Sequence, residues 1–327
     1  MSFALYRRPG GVVFLDDDPD YLEMLAQVMP ADWFVRLFVR PVACIELLQA
    51  EPPQWDSDAW RQQDIINRWR EGVPLISQIL DYWREDGTAR FGLTQICVVD
   101  YSMPAMSGLR VLGDLAGWSG ARVLLTGRAD EQLAVSAFNR GLIEQFIPKQ
   151  LPEVRRRVTE AIQKLMATPD ARHQQTWRAT LSREQHALLC MPAVAAALEG
   201  FAARQKWVEH VVTGAPFGIL AMDSEARVSW LQLEPRANLA ELADMAESLG
   251  FDKAAVQDIR IGKKLVDIEL QPALGDAHKP TAREAFAVTP DGKLHAALFP
   301  LDASFSPGYA ASHAAFMSSR SKRDLSD

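Results

Sequence analysis

The chain has 327 residues, more than one average domain, and its 48% hydrophobic and 24% charged residues are the balance of an ordinary globular protein. A net charge of −7 speaks against a general nucleic-acid binder, no apolar run approaches the length of a membrane span, and the N-terminal MSFALYRRPG lacks the apolar core of a signal peptide. Cys44, Cys97 and Cys190 form neither a disulfide framework nor a metal-ligand pattern, so a reducing cytoplasm is the expected setting.

Residues 12–15 (VVFL) read as a buried strand that runs into three aspartates, Asp16, Asp17 and Asp18. Asp18 followed by Pro19 is a helix N-cap with proline in the first turn, and the helix is expected to reach about Met29 with Tyr21, Leu22, Leu25 and Val28 inward. A second strand spans 33–39, and a helix starts near Pro41. Residues 51–94 then hold four of the nine tryptophans (Trp55, Trp60, Trp69, Trp83). Trp60, Ile65, Ile66, Trp69 and Val73 mark one helical stripe, and Leu75, Ile76, Ile79, Leu80 and Trp83 a second, with Gly72 and Pro74 breaking the chain between them. The reading is a helical insertion, either a helical hairpin packed on the surrounding domain or a surface for recognition or dimerisation.

The α/β alternation resumes with strands at 95–100, 121–127 and 144–149, helices between them, and an amphipathic helix at 152–167. The βαβαβαβαβα order predicts a parallel sheet covered on both faces. Residues 168–204 read as a helical connector, with Ser182 to Gln185 as a capping box. Beyond 205 the pattern changes to antiparallel hairpins at 217–233 and 284–301, with short helices between them. Residues 265–270 are extended or a short helix, and the Ser- and Ala-rich residues 303–327 are expected to lack order.

In a parallel α/β sheet, ligands bind beyond the carboxyl ends of the strands. Those ends carry Asp16 and Asp17, Asp100, Thr126 and Lys149. In a flavodoxin-like strand order of 2-1-3-4-5, strands 1 and 3 are neighbours and the three carboxylates converge. Such a cluster suits a hard divalent cation, most simply Mg²⁺. A carboxylate beside the metal can attack phosphorus, and Lys149 and Thr126 can stabilise the phosphoryl oxygens. Asp18 is assigned mainly to capping. Arg155, Arg156 and Arg157 read as a solvated helix face.

Taken together, VVFLDDDPDYLEML, ICVVDYSMPAMSGLRVL, VLLTGRAD and FIPK resemble the receiver domain of two-component response regulators over residues 11–166. The resemblance implies a flavodoxin-like (CheY-like) α/β fold, Asp100 as phosphoacceptor, and Asp16 and Asp17 as the Mg²⁺-binding acid pair. It further implies Ser102 as a backbone carbonyl ligand, Thr126 and Phe146 as switch residues, and Lys149 as the phosphate-contacting lysine. Two departures stand out. The insertion leaves Asp17 and Asp100 about twice as far apart as is usual, and proline precedes rather than follows the lysine (Pro148-Lys149-Gln150), which puts the following loop in question. Residues 205–302 resemble a PAS domain, a small α+β fold that binds small ligands or mediates dimerisation; it looks short for that family and names no ligand.

The expected organisation is therefore a receiver domain at 1–167 with its insertion at about 51–94, a connector at 168–204, a PAS-like domain at 205–302, and the tail. The expected function is a non-enzymatic phosphorelay switch. A histidine kinase or phosphotransfer protein phosphorylates Asp100, and the output is protein–protein, through a homodimer or a downstream target, without direct DNA or membrane binding. The alternative is a phosphorylation-independent scaffold or ligand-sensing protein with an inactive receiver.

Overall fold

The computed structural model describes residues 2–127, 131–168, 170–275, 279–320 and 324–326. The last three residues of VLLTGRAD lie outside the described residues. In chain order, β1 (Tyr6–Arg7), β2 (Gly11–Leu15), α1 (Pro19–Val28), β3 (Phe34–Phe38) and α2 (Pro41–Gln49) precede the insertion helices α3 (Pro52–Arg70) and α4 (Leu75–Asp86). Next come β4 (Thr94–Asp100), α5 (Gly108–Asp114), β5 (Ala121–Thr126), α6 (Glu131–Asn139), β6 (Gln145–Pro148) and α7 (Val154–Met166). Helices α8 (Ala171–Arg178), α9 (Arg183–Leu189) and α10 (Pro192–Gln205) lead to β7 (Trp207–Gly214), β8 (Phe217–Asp223) and β9 (Val228–Pro235). The chain continues through α11 (Leu239–Ser248), α12 (Lys253–Arg260), β10 (Lys264–Val266), α13 (Leu270–Leu274), β11 (Ala282–Ala287), β12 (Leu294–Pro300), α14 (His313–Ser319) and β13 (Asp324–Ser326).

One compact unit comprises Pro9–Asp58, Thr88–Thr168 and Phe316–Asp327. Its sheet runs β13-β3-β2-β4-β5-β6, with every neighbouring pair parallel. Without β13, this is the expected 2-1-3-4-5 order. Alternate strand residues face opposite layers. Val12, Phe14, Ile96, Val98, Val123 and Leu125 pack with Leu22 and Leu25 of α1 and Val158 and Ile162 of α7. Val13, Leu15, Cys97, Val99 and Leu124 pack with Cys44 and Leu48 of α2, Val111 and Leu112 of α5, and Ala137 of α6. Burial on both faces is why these strands are continuously apolar.

Asp18 caps α1, its carboxylate accepting from the N–H groups of Asp20 and Tyr21 at 3.0 and 3.1 Å. The inward face of α1 ends differently from the expectation. Val28 is exposed and Met29, just past the helix, is buried in its place. The tail is also ordered where described. Phe316 is buried edge-on against Phe34 at 5.0 Å and also meets Phe91 at 5.8 Å, and β13 adds a strand beside β3, pairing Leu325 with Leu37. A Ser- and Ala-rich composition concealed one aromatic anchor and an edge strand with a free neighbour.

The other unit comprises Met1–Arg8, Ala59–Gly87 and Pro169–Ala315. Its seven-stranded sheet, β1-β7-β8-β9-β12-β11-β10, is antiparallel throughout. Two three-stranded meanders, β7-β8-β9 and β10-β11-β12, meet at the β9–β12 pair. The hairpins expected at 217–233 and 284–301 are β8–β9 and β11–β12. Residues 207–214 form a further strand, β7, and the sheet also holds β1 and β10. His210 of β7 is buried against the Phe3 ring at 4.9 Å, its Nε2 lies 2.9 Å from the Ala4 carbonyl oxygen, and burial pushes its pKa down to about 4.

The division between the two compact units falls inside α3, and Ala59–Gly87 groups with the antiparallel unit rather than the parallel one. The α4 stripe is as expected: Leu75, Ile76, Ile79, Leu80 and Trp83 are all buried, and α4 packs with α13. The α3 stripe is not, because Trp60 is 74% exposed while Ile65 and Ile66 are buried. Polar side chains lock α3 in place. The Trp177 indole N–H donates to Gln62 Oε1 at 2.8 Å, and Arg8 and Gln62 both donate to the Tyr82 hydroxyl, at 2.9 and 3.4 Å. Gln62→Leu should therefore lower the unfolding free energy by about 1–3 kcal/mol, because it strands a buried indole N–H. Urea denaturation tests this; an unchanged midpoint would mean that α3 is merely attached to this unit.

Candidate functional site

Four parallel strands deliver their chemistry to one sheet edge. Asp16 and Asp17 follow β2, Asp100 ends β4, Thr126 ends β5, and Lys149 follows β6 directly. Asp16, Asp100 and Thr126 are buried, Asp17 is exposed, and Lys149 is partly covered. Carboxylate oxygens of Asp16, Asp17 and Asp100 lie within 4.8 Å of one another. The Lys149 ammonium reaches into this group, 2.5 Å from Asp16 Oδ2 and 2.8 Å from Asp100 Oδ1.

Backbone geometry fixes each carboxylate. The Asp18 N–H donates to Asp16 Oδ1 at 3.1 Å, and the Ser102 N–H donates to Asp100 Oδ2 at 3.0 Å. Ser102 thus contacts the site through its N–H. Asp100 Oδ1 is buried and faces the Lys149 ammonium at 2.8 Å. Pro148 pairs with Thr126 across β5–β6, and the Lys149 N–H donates to the Thr126 carbonyl at 2.6 Å. The reversed proline–lysine order therefore leaves the lysine at the strand end. The turn that follows places Glu153 in the left-handed region at φ 58° before α7. Phe146 is half-buried against the α2–α5–α6 core layer. Arg155, Arg156 and Arg157 lie exposed on α7, and Arg156 pairs with Glu153 at 2.6 Å.

Two residues outside the expected set shape this edge. Gly108 opens α5 where its backbone touches the loop after β4. Its N–H donates to the Tyr101 carbonyl at 3.0 Å, and a Cβ there would sit 2.2 Å from the Asp100 carbonyl oxygen. The glycine of the MPAMSG loop is thus a steric requirement. Tyr21 lies in the first turn of α1, with its ring centroid 4.4 Å from Lys149 Nζ. Only the three-dimensional placement of α1 reveals it.

The electrostatics follow from burial and charge. Burial raises the Asp16 pKa, and the Lys149 hydrogen bond and charge only partly offset this. Burial alone would lower the Lys149 pKa, but hydrogen bonds and charge from Asp100 and Asp16 outweigh it and hold the ammonium on. Burial pushes the Tyr21 phenol up. The donor set fits a hard divalent cation: carboxylate oxygens only, closely grouped at the sheet edge.

The sheet order, the two helical layers and these strand ends define a CheY-like receiver fold joined to a separate antiparallel unit. The structure is similar to that of the Legionella pneumophila response regulator LqsR, with a TM-score of 0.71, 21% identity, and coverage of 94% of this chain and 95% of that one. A CheY-like response regulator receiver domain protein from Methanospirillum hungatei covers 48% of this chain and 94% of its own, at 15% identity and a TM-score of 0.31. A response regulator receiver domain protein from Clostridium thermocellum covers 48% of this chain and 94% of its own, at 14% identity and a TM-score of 0.33. No protein-family model and no curated protein matches the sequence. Among the described residues, no single helix is long and apolar enough to cross a membrane.

The antiparallel unit has a cavity of about 260 Å³, lined among others by Phe217, Gln232, Glu234, Asn238, Glu241 and Glu269. Burial raises the Glu234 pKa to about 7 despite hydrogen bonds with Asn238 and Gln232, and Glu269 and Glu241 push it further up.

Gly108→Ala should destabilise the protein by about 1–3 kcal/mol through overpacking against the Asp100 backbone. Gly113→Ala, at a position with open space, is the control, and equal unfolding midpoints for the two variants would refute the contact. Glu234 has a folded pKa above its unfolded value of 4.5, so its stabilising contribution is complete below about pH 4.5 and is lost as pH rises through about 7. Glu234→Gln should therefore match the wild type near pH 4.5 and exceed it by about 2–3 kcal/mol above pH 8, as read by urea unfolding.

Proposed function

We propose that this protein is a two-component response regulator whose phosphoacceptor is Asp100. The observation that carries the reading is the convergence of Asp16, Asp17 and Asp100 within 4.8 Å with Lys149 bridging two of them. An acidic helix cap accounts for Asp18 alone and leaves the other strand-end residues unexplained.

In this reading, a carboxylate oxygen of Asp100 attacks the phosphorus of a phosphohistidine. An oxygen–phosphorus bond forms, the nitrogen–phosphorus bond breaks, and the electron pair stays on the donor imidazole, which takes up a proton. Asp16, Asp17, Asp100 and the Ser102 carbonyl would hold Mg²⁺, which supplies charge neutralisation for the transferring group. Lys149 donates hydrogen bonds to the phosphoryl oxygens, and the Thr126 hydroxyl turns toward them. Movement of Thr126 frees room beside Phe146, which repacks on the α6 side and carries the change to the protein surface. The protein is a phosphoacceptor and at most catalyses its own phosphoryl uptake and loss. Its donor is a sensor histidine kinase or phosphotransfer protein. Its output is to a protein, by dimerisation or by docking to a target, and the antiparallel unit contributes either the contact or a ligand-sensing cavity.

The test is phosphoryl uptake from acetyl phosphate, read by intact mass with and without Mg²⁺. Uptake by the wild type in Mg²⁺, its loss in Asp100→Asn, and a drop of at least about tenfold in Lys149→Ala are expected. Light scattering with beryllium fluoride then reads any change of oligomeric state. No uptake and no beryllofluoride binding would sink the proposal and leave a scaffold.

A further inference from the structure

The third aspartate and the tyrosine after it lie outside the phosphoacceptor set, yet together they reach its lysine. Asp18 accepts hydrogen bonds from the backbone N–H of Asp20 and Tyr21, which fixes the first turn of α1. That turn sets the Tyr21 ring under the Lys149 ammonium, with Nζ 4.4 Å from the ring centroid. This is well inside the range of about 6 Å over which an aromatic face attracts a cation.

An ammonium has three N–H donors and no acceptor. Here two of its sides meet Asp16 Oδ2 at 2.5 Å and Asp100 Oδ1 at 2.8 Å, and the third meets an aromatic face. The Tyr21 hydroxyl takes no part in this contact, because its oxygen is buried and makes no hydrogen bond. The interaction therefore belongs to the ring. A lysine stem is long and flexible, and the two aspartates alone would let the ammonium swing around their oxygens. The ring removes that freedom and shields the charge from water.

We propose that Tyr21 is a positioning residue: its ring holds the Lys149 ammonium beside Asp100, pre-placed for the oxygens of an arriving phosphoryl group. The inference rests on Asp100 being the phosphoacceptor. It adds that the lysine is ordered before the phosphoryl group arrives, so that less rearrangement accompanies the reaction.

Two variants of the full chain separate ring from hydroxyl. Tyr21→Phe keeps the aromatic face, and Tyr21→Leu keeps only an apolar side chain. In Mg²⁺, titration with beryllium fluoride should give Tyr21→Phe an affinity within about twofold of wild type and weaken Tyr21→Leu about three- to tenfold. The NMR signals of the Lys149 ε-methylene should be shifted upfield by the ring in wild type and Tyr21→Phe, and should return to ordinary positions in Tyr21→Leu. A general packing defect would not move that signal selectively, and the wild-type spectrum alone tests the placement should Tyr21→Leu fold poorly. Equal affinities for Tyr21→Leu and wild type, or an unshifted Lys149 signal in wild type, overturn the inference. A loss in Tyr21→Phe as large as in Tyr21→Leu also overturns it, by assigning the effect to the hydroxyl. If wild type binds no beryllofluoride at all, the phosphoacceptor reading itself fails, a result distinct from a wild type that binds and a Tyr21→Leu that binds equally well.

Discussion

Two carboxylates buried at one sheet edge cannot both stay ionised without a cation between them, and Lys149 meets that constraint here. Asp16 and Asp100 are almost fully buried, and they are brought side by side because β2 and β4 are hydrogen-bonded neighbours. The lysine arrives from the far edge of the sheet, directly after β6, and its N–H bond to the Thr126 carbonyl sets where its side chain begins. The apolar layers on both faces hold the strands whose ends carry these charges. The sheet supplies position, and the charges supply the reason for the position.

The three aspartates that follow β2 divide their work. Asp16 is buried and bonded to Lys149, Asp17 is exposed at the rim of the same acidic group, and Asp18 faces the other way, into the backbone of α1. A run of like charges is tolerable because its members do not share one environment. Gly108 works in the same economy of space, since the loop after Asp100 can close only where no side chain intervenes.

The receiver half was legible because its signals are local. Strand runs end in charged or hydroxyl residues, Asp18-Pro19 is a cap, and Ser182-to-Gln185 forms the expected capping box. The site residues could be found from strand ends alone, because a parallel sheet always presents those ends together. Tyr21 could not, since its role depends on where α1 lies relative to β6. The antiparallel half was read less completely for the same reason. β1 is two residues long and pairs with β7 across some two hundred residues, and nothing near Tyr6 marks it as a strand. The α3 stripe put Trp60 on the buried side, but the helix is anchored instead by Gln62, a polar residue that periodicity counts as outward. Burial by hydrogen bonding is invisible to a hydrophobic pattern.

Both units are discontinuous in sequence. The antiparallel unit takes its first strand from residues 6–7 and the rest of its sheet from beyond 207, while the receiver takes an edge strand from 324–326. Contacts of such large sequence separation form late, because the intervening chain must first be confined. During synthesis the five central receiver strands emerge together and can assemble, whereas Tyr6 waits for Val211 and Phe34 waits for Phe316. The order of assembly is thereby written into the topology: the central parallel strands first, the antiparallel unit second, and the C-terminal strand last.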